Sequence, residues 1–197
     1  MRIDIVIAGI GGQGSVLASR VIAGAGMEAG LSVRTAEVIG MAQREGVVVS
    51  HVRLGDPLWG ALIPEGRADL LLGFEPAEAV RGLARLKTGA TAVVDPAPVV
   101  PVTVALGLSS YDREAYLRCL EERTRLFLLE ATRLALAAGS PRAANAVFLG
   151  AASALEILPF GEEILLRHLL EAVPERLREV NKRAFLFGKK AAGRAAG

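Results

Sequence analysis

The sequence predicts an α/β protein, a three-layer α/β/α sandwich with a largely parallel sheet and a helical C-terminal part. Two observations support this fold class. Short apolar runs, typical of buried parallel strands, alternate with helical patterns through residues 1–107. Residues 108–197 contain helical patterns bounded by Gly or Pro. With 197 residues, the chain is expected to form a single domain over 1–197.

The strand-rich half begins with an almost unbroken apolar run around Ile3, Ile5 and Ile7. A helix is predicted from Ser15 to Met27, because apolar residues recur there at helical spacing. The remaining elements of this half are strands over 32–38, 47–54, 68–73, 90–95 and 99–106, and a helix over 75–85.

The helical half is predicted to begin at Asp112, which can cap a long helix that runs to Ala138 and ends before Gly139. Two further helices are predicted over 145–158 and 162–173. Pro174 suits the first turn of a last helix that continues to about residue 190.

Composition excludes two classes of partner and favours a third. Charges interrupt every apolar run before about 18 residues, so no membrane-spanning segment is predicted. The 23 Lys and Arg are balanced by 21 Asp and Glu, which argues against a nucleic-acid-binding protein. The hydrophobic fraction of 52% and mean hydropathy of +0.40 instead favour burial of apolar surface against another subunit.

The chain is expected to be cytoplasmic. It enters a strand directly after Met1, which leaves no room for a signal peptide. Its single cysteine, Cys119, cannot form an internal disulfide and fits a reducing compartment. One thiolate is also too few to hold an iron–sulfur cluster within this chain.

A glycine-rich loop between the first strand and the first helix is the leading candidate site. Glycines there let the backbone turn sharply and bring a ligand or a neighbouring chain close to N–H groups at the helix N-terminus. The candidate cofactor-binding residues of this loop are Gly9, Gly11, Gly12, Gln13 and Gly14. The alternative is a structural tight turn between a packed strand and helix.

The same loop also fits a dinucleotide-binding pattern. Gly9, Gly11 and Gly14 match G-x-G-x-x-G, and Glu37 lies where an acidic residue would hold the ribose. A stand-alone NAD(P)-dependent dehydrogenase is therefore the alternative function.

A second constellation follows in the next loop and strand. Gln43, Arg44 and Arg53 are candidates to contact a cofactor, CoA or a partner subunit, because guanidinium groups suit phosphates and carboxylates. An intrachain salt bridge that orders the loop is the alternative role. His51 is expected to be a buried, hydrogen-bonded histidine on the same strand face as Arg53.

These segments resemble the gamma-type subunits of 2-oxoacid:ferredoxin oxidoreductases, and most closely the small subunits of the indolepyruvate branch. One departure is Glu45, where the family usually shows a second glycine. The matching motifs run in order along almost the whole chain: Gly9-Ile10-Gly11-Gly12-Gln13-Gly14, Gln43-Arg44-x-Gly46, Ser50-His51-Val52-Arg53, Leu62-Ile63-Pro64-x-Gly66-x-Ala68-Asp69, Gly73-Phe74-Glu75-Pro76, Asn145-x-Val147-x-Leu149-Gly150 and Asn181-x-x-Ala184-Phe185-x-x-Gly188.

The resemblance implies a role in the oxidative decarboxylation of a 2-oxoacid to an acyl-CoA. Enzymes of this family use thiamine diphosphate and pass electrons through iron–sulfur clusters to ferredoxin. Their thiamine–magnesium motif, Gly-Asp-Gly followed by Asn, has only Gly55-Asp56-Pro57 as its nearest match here, and the only asparagines are Asn145 and Asn181.

The chain is accordingly expected to bind none of these cofactors alone and to be inactive alone. Thiamine diphosphate, Mg and the clusters are expected on a larger partner subunit, with CoA and ferredoxin acting at the level of the complex. Indolepyruvate or another aryl-pyruvate is the favoured substrate.

Overall fold

The computed structural model describes residues 2–41 and 46–195 and contains six strands and eight α-helices over those residues. The strands are β1 (Arg2–Ile10), β2 (Val33–Ile39), β3 (Val47–Gly55), β4 (Ala68–Gly73), β5 (Leu86–Val94) and β6 (Arg125–Leu128). The helices are α1 (Ser15–Glu28), α2 (Pro76–Gly82), α3 (Val102–Ala105), α4 (Arg113–Arg123), α5 (Ala131–Ala138), α6 (Ala144–Ala154), α7 (Glu162–Ala172) and α8 (Arg178–Ala195).

The strands form one mixed sheet in the order β2-β3-β1-β4-β5-β6. Strands β1, β4, β5 and β6 pair in parallel, whereas β3 runs antiparallel to both β1 and β2. Only β3 therefore points against the other strands. The predicted α/β class with a largely parallel sheet is confirmed.

Helices cover both faces of the sheet. Alternate residues of β1 point to opposite faces, so Ile5 and Ile7 pack in one core and Val6 and Ala8 in the other. The first core lies against α1 and α5 to α8, and the second against α2 and α4. This arrangement gives the three layers that the alternating pattern predicts.

The predicted long helix from Asp112 to Ala138 is wrong. Asp112 does cap a helix, but α4 ends at Arg123 and the chain turns into β6. Leu126 and Phe127 then pair in parallel with β5. Leucine-rich sequence has high helix propensity, but pairing with an open sheet edge outweighs that small preference.

The strand predicted over 99–106 is also wrong. Residues 99–101 have no regular secondary structure, and Pro101 precedes the short helix α3. Val100 and Val102 are exposed and pair with no strand of the described sheet. Proline lacks the N–H that a sheet ladder needs, so the apolar β-branched residues around it do not form a strand.

Helices α6 and α8 cross at unusually short distance. A Cβ on Gly150 would lie 1.9 Å from the carbonyl oxygen of Phe185, and a Cβ on Gly188 would lie 1.9 Å from that of Val147. Both neighbours are backbone atoms, so neither can move aside without displacing a helix. This crossing explains why glycine occupies both positions.

The described part of the chain lacks two features. Over residues 2–41 and 46–195, no helix is long and apolar enough to cross a membrane. Within those same ranges, no group of three or more His, Cys, Asp and Glu side chains is arranged to hold a metal ion.

Candidate functional site

The candidate site lies at the carboxyl edge of the parallel strands. The glycine loop follows β1, Phe74 and Glu75 follow β4, and Asp95 follows β5. Parallel strands end at a common edge, and open α/β sheets bind ligands outside this edge. The fold therefore brings the glycine loop together with residues that lie far away in sequence.

Two glycines give the loop its shape. Gly12 has φ +96° and Gly14 has φ +84°, in the left-handed region that favours glycine. Gly14 is the N-cap of α1 and offers no side chain to the helix. Gly11 and Gly12 are exposed, so the accessible part of the loop is main chain.

Gln13 ties the ends of two strands together through its carboxamide. Its Oε1 accepts a hydrogen bond from the N–H of Ile10 (2.7 Å), and its Nε2 donates to the carbonyl oxygen of Phe74 (3.1 Å). A Cβ on Gly9 would come within 2.8 Å of that Oε1 and 2.9 Å of the Phe74 Cβ. Gln13 therefore holds the site together from inside, and Gly9 makes room for it.

Asn145 explains a second glycine of the loop. It is buried near the start of α6, and a Cβ on Gly14 would lie 3.1 Å from its Nδ2. Its Oδ1 accepts a hydrogen bond from the N–H of Ala146 (2.8 Å). The glycine loop and the motif that begins at Asn145 thus contact each other in the fold.

A cavity of about 290 Å³ adjoins the loop. Its apolar wall includes Phe74 and Phe148, whose rings stack with centroids 4.1 Å apart. Its polar residues include Gln13, Asp95, Thr132 and Arg142.

The polar groups of this cavity differ in whether they are already hydrogen-bonded within the protein or exposed. The Asp95 carboxylate accepts three hydrogen bonds, from the N–H of Ala97 (3.0 Å) and from the N–H and hydroxyl of Thr132 (both 2.7 Å). Arg142 is exposed, so its cation is the accessible charge. Sequence reasoning missed Asp95, Thr132 and Arg142 as site residues. Only the Asp-Pro at a predicted strand end gave a signal, and that signal concerned Asp95 alone.

Gln43 and Arg44, together with Glu45, lie outside the described residues. Gly46, which follows them, accepts a hydrogen bond from the N–H of Gly11 (2.9 Å). The chain on that side of the segment therefore lies against the glycine loop.

Arg53 lies at the other end of the sheet. In the β1–β3 register, Val47 pairs with Ile10 and Arg53 with Asp4, which puts about 20 Å of strand between Arg53 and the loop. The structure does not bring Arg53 together with the other candidate residues.

The side chain of Arg53 is occupied inside the protein. It is only 5% exposed, and its Nε donates to Asp4 Oδ1 at 2.8 Å. Its other nitrogens reach Asp4 Oδ2 (3.3 Å) and the carbonyl oxygens of Gly60 (2.9 Å) and Leu62 (3.3 Å). The sequence left an intrachain salt bridge open for Arg53, and the structure contains one.

His51 lies on the same face of β3 as Arg53 and supports the same segment, which runs from Gly60 to Ile63. It is buried, and its Nδ1 accepts a hydrogen bond from the N–H of Ile63 (3.3 Å). Burial lowers the pKa of His51, and the nearby Arg85 and Arg53 cations lower it further. The imidazole is accordingly neutral in the folded protein at pH 7.

Acid is therefore expected to destabilise the fold through His51. Its folded pKa is lowered, so its contribution is complete above the unfolded pKa of about 6.5 and is lost as pH falls towards the folded pKa. The free energy of unfolding should decrease by up to about 1.4 kcal/mol per pH unit below pH 6.5 from this group. Urea unfolding of wild type and His51→Asn at pH 5.0, 6.0 and 7.5 measures it.

The asparagine variant keeps an acceptor and does not titrate. Its unfolding free energy should therefore fall less steeply with decreasing pH, by the amount that corresponds to the uptake of about one proton. The matched control is His168→Asn, which removes an imidazole whose Nε2 lies 2.8 Å from Glu28 Oε2 between α7 and α1. Identical slopes for wild type and His51→Asn would contradict the prediction.

The stand-alone dehydrogenase is not supported. In a dinucleotide-binding fold, the acidic ribose ligand follows a parallel strand beside the first strand. Here antiparallel β3 separates β2 from β1, so Glu37 lies on the sheet edge about 10 Å, two strand spacings, from β1. The glycines fit a dinucleotide fingerprint, but the strand order does not.

Comparison with known proteins identifies the family. The family model for pyruvate ferredoxin/flavodoxin oxidoreductase matches residues 4–191. Indolepyruvate oxidoreductase subunit IorB of Thermococcus kodakarensis is 38% identical over 192 residues, covering 96% of this chain and 95% of the relative. The same subunit of Pyrococcus horikoshii is 39% identical with the same coverage.

Solved structures agree with this relationship. The gamma subunit of a keto/oxoacid ferredoxin oxidoreductase from Geobacter sulfurreducens superposes with a TM-score of 0.71, at 25% identity and 99% coverage of both chains. A 2-oxoglutarate:ferredoxin oxidoreductase from Magnetococcus marinus contains the same fold, with a TM-score of 0.73 at 23% identity, over 97% of this chain and 31% of that chain. The chain belongs to the pyruvate ferredoxin/flavodoxin oxidoreductase family.

Proposed function

We propose that this chain is the accessory subunit of a 2-oxoacid:ferredoxin oxidoreductase that acts on indolepyruvate or another aryl-pyruvate. The observation that carries the proposal is similarity over nearly the full length of small subunits of indolepyruvate oxidoreductase. The sequence supports the accessory role, because Cys119 is the only cysteine and the thiamine motif is absent.

The proposed partner is a larger subunit that carries thiamine diphosphate, Mg and the iron–sulfur clusters. When bound there, thiamine diphosphate supplies the decarboxylation chemistry. CoA and ferredoxin act on the whole complex, which we place in the cytoplasm. This chain contributes a shaped protein surface and binds none of these cofactors alone.

Within this chain we propose that the glycine loop and Gln43–Arg44 face the partner or CoA. The loop offers exposed main chain at Gly11 and Gly12, and Arg142 adds a cation to the neighbouring cavity. A guanidinium beside exposed backbone suits a phosphate or carboxylate. The conformation of the loop is fixed by Gly9, Gln13 and Gly14. Arg53 has a structural role at the other end of the sheet, where it forms an ion pair with Asp4.

An anaerobic pull-down of the tagged chain from its own cells tests the proposal. We expect a cysteine-rich larger subunit, bound iron and thiamine, and ferredoxin reduction that depends on a 2-oxoacid and CoA. Indolepyruvate should give at least about ten times the kcat/KM of pyruvate or 2-oxoglutarate, which is about 1.4 kcal/mol of discrimination. The tag alone, expressed in the same cells, is the control.

Two results would contradict the proposal. Recovery of the chain without a cofactor-bearing partner would argue against the accessory role. Recovery of an active complex that prefers a small aliphatic oxoacid would contradict the proposed aryl-pyruvate substrate and leave the accessory role supported.

A further inference from the structure

The sheet has two edges, and strand β2 at one of them is exposed along most of its length. Of its seven residues, Val33–Ile39, five are exposed and two are partly buried. The exposed residues include two large apolar side chains, Val38 at 50% and Ile39 at 64% exposure. Neighbouring residues of a strand point to opposite faces, so solvent reaches both faces of β2.

The main chain of β2 is hydrogen-bonded on one side only. The N–H of Gly40 donates to the carbonyl oxygen of Val47 (2.7 Å), and the N–H of Gly55 donates to that of Ser32 (2.9 Å), at the two ends of the β2–β3 ladder. In an antiparallel pair, successive residues alternate between facing the partner strand and facing away. Even-numbered residues of this segment therefore face β3. Among the described residues no second strand pairs with β2, so outward N–H and C=O groups are left at Val33, Thr35, Glu37 and Ile39.

The other edge of the sheet is protected in ways that β2 is not. Natural proteins shield edge strands by short length, charge, proline or a bulge, because unpaired main-chain groups are a template for another chain. Strand β6 has only four residues, Arg125–Leu128, and begins with an exposed arginine. Strand β2 is longer, contains no proline, glycine or lysine, and pairs with β3 without a bulge. Its outer side is therefore suited to pair with a further strand.

The sequence of β2 is complementary to itself in the antiparallel direction. When two copies overlap along the whole strand, Ala36 lies on the two-fold axis and the outward-facing residues of one copy meet those of the other. No like charges are then directly opposed, and the residue on the axis, where side chains approach closely, is small. The pairs between the copies are Val33 with Ile39, Arg34 with Val38, and Thr35 with Glu37.

A second copy is the occupant that this complementarity favours. It brings the same unpaired edge, so one two-fold interface satisfies the outward main-chain groups of both chains. It also covers Val38 and Ile39, each against a residue of the other copy. A small molecule cannot supply alternating donors and acceptors along a strand of seven residues.

We propose that this chain forms a two-fold dimer in which antiparallel pairing of β2 with its copy joins the two sheets about Ala36. The inference goes beyond the proposed function and does not depend on it. Strand β2 runs parallel to β1, since β3 is antiparallel to both. The β1 strands of the two copies therefore run in opposite directions, and the two glycine loops lie at opposite edges of the joined sheet. Each loop stays accessible to a ligand or to a larger subunit.

Sedimentation equilibrium of the full-length chain tests the proposal. The wild type should have about twice the chain mass of 20.6 kDa. Thr35→Pro removes an outward N–H, and Ile39→Lys places a charge on the outer edge, which are two of the devices that protect natural edges. Each should raise the Kd of the dimer at least about tenfold, because two-fold symmetry repeats the change in both chains. Leu128→Lys is the matched control, because it alters a 54% exposed leucine on the opposite edge strand, and it should leave the Kd unchanged.

These variants should keep the fold of the single chain. The N–H of Thr35 takes no part in the β2–β3 ladder, and edge strands tolerate proline where the N–H faces solvent. Ile39 is already exposed. Urea unfolding at a protein concentration too low for dimer formation should therefore give nearly the wild-type free energy for both variants. Ala36→Pro removes an N–H that faces β3 and should lower that free energy instead.

Cysteine cross-linking measures the register of the pairing. In a chain that also carries Cys119→Ala, which removes the only native thiol, Ala36→Cys places a thiol on the axis. Opposed Cα atoms there are about 4.5 Å apart, within the range that a disulfide spans, so mild oxidation should give a covalent dimer. Thr35→Cys is the matched control. Its copies are two residues apart along the paired strands, roughly 8 Å between Cα atoms, which is beyond the reach of a disulfide.

The remaining outcomes each decide against the dimer or for it. A wild-type chain that sediments as a monomer overturns the inference and leaves the proposed function standing, because recovery of a cofactor-bearing subunit tests that function separately. A dimer that Thr35→Pro and Ile39→Lys leave unchanged, or that only Leu128→Lys weakens, also overturns it. If both β2 variants fail to fold, the cross-link decides: a covalent dimer from Ala36→Cys alone supports the pairing, and no product or equal product from Thr35→Cys contradicts it. A monomeric wild type whose Thr35→Pro variant recovers less of the larger subunit assigns this edge to that subunit and contradicts the dimer.

Discussion

Replacing either glycine of the α6–α8 crossing with alanine is expected to give one of the largest losses of stability in this protein. The new Cβ would lie 1.9 Å from a backbone oxygen, of Phe185 for Gly150→Ala and of Val147 for Gly188→Ala. The two helices must separate to relieve this overlap, and their separation opens the core around Phe148 and Phe185, both fully buried. We expect a loss of about 3 kcal/mol or more.

Chemical and thermal unfolding of the isolated chain measure this effect. A loss of 3 kcal/mol corresponds to a Tm lower by roughly 6–12 °C for a domain of this size. Gly193→Ala is the matched control, because Gly193 lies on the same helix α8 and a Cβ there meets no atom of the described residues within 4 Å. Alanine has the higher helix propensity, so the control should be neutral or slightly stabilising. Equal behaviour of Gly188→Ala and Gly193→Ala would refute the close crossing.

The roles of these glycines could not be predicted from the sequence. The family resemblance marked Gly150 and Gly188, each as part of a separate motif. Their shared cause is a contact between two helices, and neither motif alone indicates that contact. The same holds for Gly14 and Asn145, which the fold brings together across α1 and α6. Sequence reasoning identified these residues, and only the tertiary structure explains them.

The fold class was predictable because alternating apolar runs reflect burial, which is local in sequence. The two wrong element predictions arose where pairing with a neighbouring strand decides the local structure. Residues Arg125–Leu128 form a strand because the edge of β5 is available to them. Val99 and Val100 form none, since prolines interrupt that segment and no strand pairs with it in the described sheet.

The candidate site was predictable only in part, for a related reason. The glycine loop was predicted because a sharp backbone turn requires glycine, and a run of glycines is visible in the sequence. Asp95 meets the loop because parallel strands end at one edge, and Arg142 comes from a later segment that lines the same cavity. For Arg53, the sequence left two roles open, and the choice depends on Asp4, a residue on a neighbouring strand.

Removal of the Arg53 guanidinium is the second substitution expected to have a large effect. Among the described residues, Arg53→Leu leaves the carboxylate of Asp4, which is fully buried, with only a 3.3 Å contact to the partly exposed Arg2. The carbonyl oxygens of Gly60 and Leu62 also lose their donor. Breaking a buried ion pair from one side costs about 3–5 kcal/mol. Urea unfolding at pH 7.5 measures the free energy of unfolding of variant and wild type.

The control is an arginine whose ion pair is exposed. Arg167, 52% exposed in its side chain, pairs with Glu28, and Arg167→Leu should cost no more than about 1 kcal/mol. Adding Asp4→Asn to Arg53→Leu should recover part of the loss, because the uncompensated buried charge is then gone. A different result would restore the other role: if Arg53→Leu unfolds like wild type while the assembled enzyme loses affinity for CoA, Arg53 binds ligand rather than Asp4. The prediction thus separates the two roles by free energy, because only the internal pair makes the stability of the isolated chain depend on Arg53.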